Sequence, residues 1–127
     1  MTVTEAVQAR LVANSTLTAL VPATRIMAPG EHQNVARPYI VHFPISVSPI
    51  QTHTGLAALK MRGYQVSVFA STYASGEQIA DAVRDALIGV TTAGVHIFLE
   101  GGPFTLGREP ETDTEHFVVN FLIGCDL

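Results

Sequence analysis

Two neighbouring runs decide the fold: Arg62-Gly-Tyr-Gln-Val-Ser-Val-Phe-Ala-Ser71 and Ser75-Gly-Glu-Gln-Ile-Ala-Asp-Ala-Val-Arg-Asp-Ala-Leu87. In the first, Tyr64, Val66, Val68 and Ala70 alternate with Gln65, Ser67 and Phe69. That period of two is a strand with one mostly apolar and one mostly polar face. In the second, Ser75 and Gln78 have capping-box spacing, and Ile79, Val83, Ala86, Leu87 and Val90 recur on one side. The spacing predicts an amphipathic helix capped by Ser75 and ending near Gly89. Its other side carries Glu77, Asp81 and Asp85, a solvated acidic row partly offset by Arg84.

Downstream, Val95–Leu99 reads as a strand. Gly101-Gly102-Pro103 interrupts it as a turn or bulge, and Phe104-Thr105-Leu106 resumes it. The last strand, Glu115 to about Cys125, has Phe117, Val119, Phe121 and Ile123 on one side and Val118, Asn120 and Leu122 on the other. It is apolar enough on both sides to be central. Upstream, Pro38 opens a strand Tyr39-Ile-Val-His-Phe43, and Arg25-Ile26-Met27 is a short extended candidate before a loop from Ala28 to Arg37. The N-terminal segment is predicted helical from the Thr2/Glu5 pair and the Val3, Val7, Leu11 stripe. Asn14-Ser15-Thr16 breaks it, as a turn or cap rather than a glycosylation site, and Leu17, Leu20 and Val21 add a turn before Pro22. The result is a single α+β domain over residues 1–127, with a mainly antiparallel sheet of four or five strands, two helices packed on one face, and a protruding hairpin or arm.

A chain of 127 residues buries roughly two-thirds of the surface its unfolded form exposes. No apolar run approaches the roughly 18 residues that cross a bilayer, and the first residues lack a signal-peptide pattern. Neither membrane insertion nor secretion is expected. The formal charge of -4 disfavours a phosphate-binding surface, and the single Cys125 excludes an internal disulfide and cysteine-rich zinc sites. Charged residues make up 14%, against about 25% in soluble domains. Interface cores are depleted in Lys, Glu and Asp, so this shortage hints at an assembly subunit.

Catalytic and ligand patterns are missing. His42, His96 and His116 fall on predicted strands, but no two have ligand-pair spacing, and His96 and Glu100 lie some 13 Å apart in extended chain. There is no Gly-x-Ser-x-Gly elbow, and no Lys-Ser/Thr follows Gly101, Gly102 or Gly107 to make a phosphate loop. Arg108–Glu115 carries four acidic residues and one basic, a mobile acidic loop. No metal, cofactor or catalytic residue is expected.

The informative feature is a shortage of charge. Between Pro38 and Met61 only Lys60 is formally charged, while Val47, Ile50, Leu56, Leu59 and Met61 are apolar. Pro44–Gly55 shows no strong periodicity and contains Pro44 and Pro49. A loop of that length in a small domain is usually functional or disordered, and disorder prefers polar composition. Two readings stand: a hairpin folded over its own core, or an arm (about 44–61) that another protein molecule covers.

The order of these pieces resembles the small tail-completion, or tail-terminator, proteins of long-tailed bacteriophages. The likeness runs from the N-terminal helix through Arg25-Ile26, Pro38-Tyr-Ile-Val41 and Val66–Ser71 to Gly76–Leu87 and His116-Phe-Val-Val-Asn-Phe121. Many relatives carry Trp where this chain has Phe69. The resemblance implies a structural, non-enzymatic virion protein of the tail or neck, assembled in the host cytoplasm. It implies a homo-oligomer, a six-fold ring that caps the tail tube, stops its growth and docks to the head connector. The partners it implies are the major tail tube protein and the connector or stopper, with DNA passing through unbound. Val47, Pro49, Ile50, Leu56, Leu59 and Met61 are then the expected interface, and Glu109, Glu111, Asp113 and Glu115 an acidic loop facing the lumen. A head-closure or stopper protein, an unrelated α+β ligand-binding dimer and a small enzyme are the alternatives.

Overall fold

Helix α3 (Tyr73–Leu87) buries Ile79, Ala80, Val83, Ala86 and Leu87 against the sheet, as its spacing predicts. Each of its larger aliphatic side chains contributes roughly 1.5–3 kcal/mol through burial. Its cap is Thr72 rather than Ser75: the Thr72 side chain accepts from the Ser75 N–H, so the helix starts one turn earlier. The predicted end holds, with Ile88 as C-cap and Gly89 beyond it at positive φ. Helix α1 (Val3–Ala13) buries Val3, Val7 and Leu11. Helix α2 (Ser15–Leu20) is a separate turn capped by Asn14, whose side chain accepts from Leu17 N–H at 2.9 Å. That cap is the role the Asn14-Ser15-Thr16 break plays.

In this computed structural model the described residues are 3–28, 37–52, 55–89, 91–92, 95–109 and 114–125. The side chains of 46–62, 91–92, 108–109 and 125 lie outside them, as does Thr2 of the expected first capping box. The strands are β1 (Ile26–Met27), β2 (Tyr39–Thr52), β3 (Gly55–Ala70), β4 (Thr91–Thr92), β5 (Val95–Glu109) and β6 (Thr114–Cys125). They form one sheet in the order β1-β2-β3-β6-β5-β4. Only β1 and β2 are parallel; every other pairing is antiparallel. Two of the six strands have two residues each, so the expected four or five strands are four long ones plus two edge fragments. β6 is central, as its two apolar faces require.

The expected interruption at Gly101-Gly102-Pro103 is a bulge inside one continuous β5, with register shifts at Leu99/Gly101, Gly101/Phe104 and Thr105/Gly107. Gly102 has φ +102°, and a Cβ there would meet Val118 O at 2.9 Å. Only glycine lets β5 pass this close to β6. All three helices lie on one face, where Ile40, Val66, Val68, Ile97, Phe117, Val119, Phe121 and Ile123 join Val3, Val7, Leu11, Leu17, Ile79 and Val83 in one core. Among the described residues no helix is long and apolar enough to cross a membrane.

The edges are short-stopped. β1 covers β2 only at Ile40 and Val41, and β4 covers β5 only at Val95 and His96. Past those points β2 carries Pro44, Pro49 and two register shifts, and β5 carries its bulges and Pro103. Prolines and bulges are how edge strands resist pairing with foreign strands.

Helix α3 packs so closely that a Cβ on Gly76 would come within 2.5 Å of the Phe117 ring. Gly76→Ala should therefore destabilise the protein, although alanine is worth up to about 1 kcal/mol over glycine in a helix. A net loss of about 1–2 kcal/mol in urea unfolding is expected, with partial recovery when Phe117→Leu is added.

Candidate interaction interface

The arm residues read as a long irregular segment are two strands of a regular hairpin. Val47 pairs with Arg62, Ser48 with Met61, Pro49 with Lys60 and Gln51 with Leu56, with register shifts between Pro44 and Ser46 and between Pro49 and Gln51. The missing periodicity has a cause there, since the first shift leaves Ile45 without a pairing partner and moves the in/out alternation by one residue. β6 pairs with β3 from Lys60 to Ala70, so the hairpin leaves the sheet only beyond Pro49 and Lys60. The described part beyond β6 is therefore 50–52 and 55–59, extending about 16 Å along β3. Val47, Pro49 and Met61 sit within the sheet, and Ile50, Leu56 and Leu59 in the projecting part. Their side chains lie outside the described residues.

At the opposite end of the sheet, Ala70 faces Glu115 across β3 and β6, and Arg108 faces Glu115 across β5 and β6. The acidic segment joins β5 to β6 at this end. Glu111 and Asp113, like the Glu109 side chain, lie outside the described residues. Glu115 is in β6 and 8% exposed, so it belongs to the strand and not to the loop. The two ends of β3, Gly55 and Ala70, are thus roughly 50 Å apart.

The sheet face away from the helices is built from cross-strand rows. Tyr39, Phe69 and His116 form one, with ring centroids 4.7 and 4.3 Å apart. Val41, Ser67, Val118 and Phe104 form the next, then Phe43, Gln65, Asn120 and Gly101, then Gly63, Leu122 and Phe98. No formally charged residue stands in these rows. Phe98 and Phe104 are 53% and 47% exposed, and Leu106, in the last bulge, is 63% exposed. Glu100 is exposed in the β5 bulge between Phe98 and Gly101, and on α3 Glu77 and Asp85 are exposed and Arg84 pairs with Asp81 and Asp85 at 3.7 and 3.3 Å. The acidic row on α3 is the solvated surface its sequence suggests.

The three strand histidines do not converge. His116 stacks on Phe69, His96 lies on β5, and His42 points into the core. Among the described residues no three His, Cys, Asp or Glu side chains gather as metal ligands. His42 is fully buried and has both ring nitrogens engaged. Gln8 Nε2 donates to the Ile26 carbonyl at 2.8 Å, which turns Gln8 Oε1 toward His42 Nε2 at 2.6 Å. Nε2 then carries the proton, and Nδ1 accepts from the Tyr64 hydroxyl at 2.7 Å. The network ties α1, β1, β2 and β3 together. Burial pushes the His42 pKa from 6.5 down to about 4.

The profile of the family described as tail completion protein gp17 matches residues 5–126. The chain belongs to this family. No curated protein matches it in sequence. Its fold is that of a chain from the "Virion of native gene transfer agent (GTA) particle", with a TM-score of 0.76 and 24% identity over 97% of this chain and 93% of that one. The β5 aromatics were not legible as a site: Phe98 and Phe104 fit an ordinary strand pattern, and their exposure follows from β5 lying near the sheet's edge. The His42 network left no local trace, because Gln8 and His42 are 34 residues apart.

Because folding holds His42 neutral, the unfolded chain takes up a proton near pH 6.5 while the folded one resists until about pH 4. Stability should be intact above pH 6.5 and fall on the order of 3 kcal/mol between 6.5 and 4. Denaturant titrations across that range check it, and His42→Leu should remove most of this slope.

Proposed function

We propose that the chain caps the end of a phage tail tube as a six-fold ring, ending tube polymerisation and presenting the joint to the head connector. It acts in the virion as a structural part, without catalysis. The observation that carries the reading is membership of the tail completion family over residues 5–126. The layout supports it. A heterologous contact closes into a ring when the rotation per copy allows, and a subunit with unlike ends stops a polymer by offering the next tube subunit no copy of the tube's end. Here one end is an uncharged hairpin tip and the other an acidic segment.

In this reading Val47, Pro49, Ile50, Leu56, Leu59 and Met61 supply contacts to neighbouring copies or to the tube protein. Glu109, Glu111 and Asp113 face the lumen, where acidic side chains repel DNA phosphate as it passes. Glu115, buried in β6, is left out of that set.

Tails assembled without this protein should be overlong or ragged in negative-stain images. Tails of normal length that fail to join heads would assign the chain to the stopper side of the joint instead. Replacing Glu109, Glu111 and Asp113 by Lys should slow DNA ejection, and unchanged ejection kinetics would remove these residues from the lumen.

A further inference from the structure

The network around His42 joins parts of the molecule that are held in different ways. His42 pairs with Val66 in the β2–β3 ladder and Tyr64 pairs with Phe121 in the β3–β6 ladder, so main-chain pairing fixes both rings. Gln8 has no such anchor. It stands on α1, which meets the sheet mainly at the edge strands β1 and β2, whereas α3 packs on β3, β5 and β6. β1 itself is two residues long and pairs with β2 alone. Gln8 also lines an open groove of about 450 Å³ along α1, with Thr4, Glu5 and Ala28, and so forms the solvent side of the network.

A second proton on His42 is poorly accommodated while α1 is seated. It enters at Nδ1, where the Tyr64 hydroxyl donates at 2.7 Å. The hydroxyl must turn from donating to accepting, and a full charge then stands at a site with no exposed surface. The ring's two partners, Gln8 and Tyr64, are both neutral. On α1, Glu5 and Arg10 flank Gln8 but are exposed, and Arg10 Nε donates to the Ala86 carbonyl at 3.4 Å. β1 is uncharged and follows Arg25, and β2 carries no charge from Tyr39 to Ile45. On β3 the titratable group facing the ring is Tyr64, and Arg62 stands four residues beyond Val66, about 13 Å along the strand. α2 is uncharged, and Glu77, Asp81, Arg84 and Asp85 of α3 lie on its solvated side.

We infer that protonation of His42 releases helix α1 from the sheet while β2, β3, β6 and β5 stay paired. Lifting α1 withdraws Gln8 and opens the ring to water from the groove side, and it breaks no pair in the β2–β3 or β3–β6 ladders. The apolar surface exposed is the Val3, Val7 and Leu11 stripe with its seat, a small part of what global unfolding exposes. The fold thus carries a latch that acid opens. This device is independent of the capping role.

Amide hydrogen exchange on the full chain tests it, read in low denaturant at pH 7.5 and pH 5 and corrected for intrinsic exchange rates. The Val7 and Leu11 amides should exchange through an opening with a weaker denaturant dependence than that of the Val66 and Val119 amides. The constant for this opening should rise roughly 30-fold from pH 7.5 to pH 5, because the released ring titrates at 6.5 and the seated one at about 4. Helix amides that share the denaturant dependence of Val66 and Val119 at pH 5 would overturn the proposal, since helix and sheet would then open only together. An α1 opening that does not change with pH would also overturn it. In His42→Gln and His42→Leu, one polar and one apolar replacement, the rise should vanish. Its survival in either folded variant would assign the pH dependence to other groups and sink the inference.

Discussion

A sheet of four long strands with helices on one side has a second side that nothing in the helix layer can cover. This asymmetry governs the rest of the molecule. The helices take the face lined by Val66, Val68, Phe117, Val119 and Phe121, and the close approach of Gly76 to Phe117 shows how tightly that side is filled. The remaining face is not the polar surface that an exposed antiparallel sheet normally shows. Its cross-strand rows are built from aromatic, aliphatic and small polar residues, with Glu100 exposed in the bulge beside them. Composition and layering together leave this face without a cover in the described residues of the chain.

Inside the filled layer, one polar network interrupts the apolar packing. Gln8, His42, Tyr64 and the Ile26 carbonyl satisfy one another, and their geometry fixes the tautomer of His42 without help from solvent. An arrangement of this kind adds little net energy but costs much if one member is lost, since its partners are then buried and unpaired. It therefore sets the seat of α1 on the sheet more sharply than Val3, Val7 and Leu11 do alone. It also explains why a histidine on a strand, an invitation to think of metal, has no lone pair left to offer.

The α+β class, the two main helices, the central position of β6 and the family were legible because they rest on strong periodicities and on the order of elements. Local punctuation was less reliable. Ser75 looked like the cap because Gln78 follows it, yet Thr72 wins because Tyr73 and Ala74 are already helical. The arm looked aperiodic because a bulge at Ile45 breaks its alternation, and pairing across strands cannot be read from one strand alone. The apolar, uncharged character of the arm was visible; how little of it leaves the sheet was not. Phe98 and Phe104 were hidden by a different cause, since whether an alternating strand residue is covered depends on its neighbours in the sheet, which local pattern does not reveal.

The prolines and bulges along β2 and β5 bear on the life of the protein before it reaches a tail. A chain with greasy surface and two unfinished strand borders is at risk of stacking into fibres. Kinked borders deny that route, because a foreign strand finds no straight row of donors and acceptors to copy. Kinked borders of this kind work against strand-upon-strand stacking.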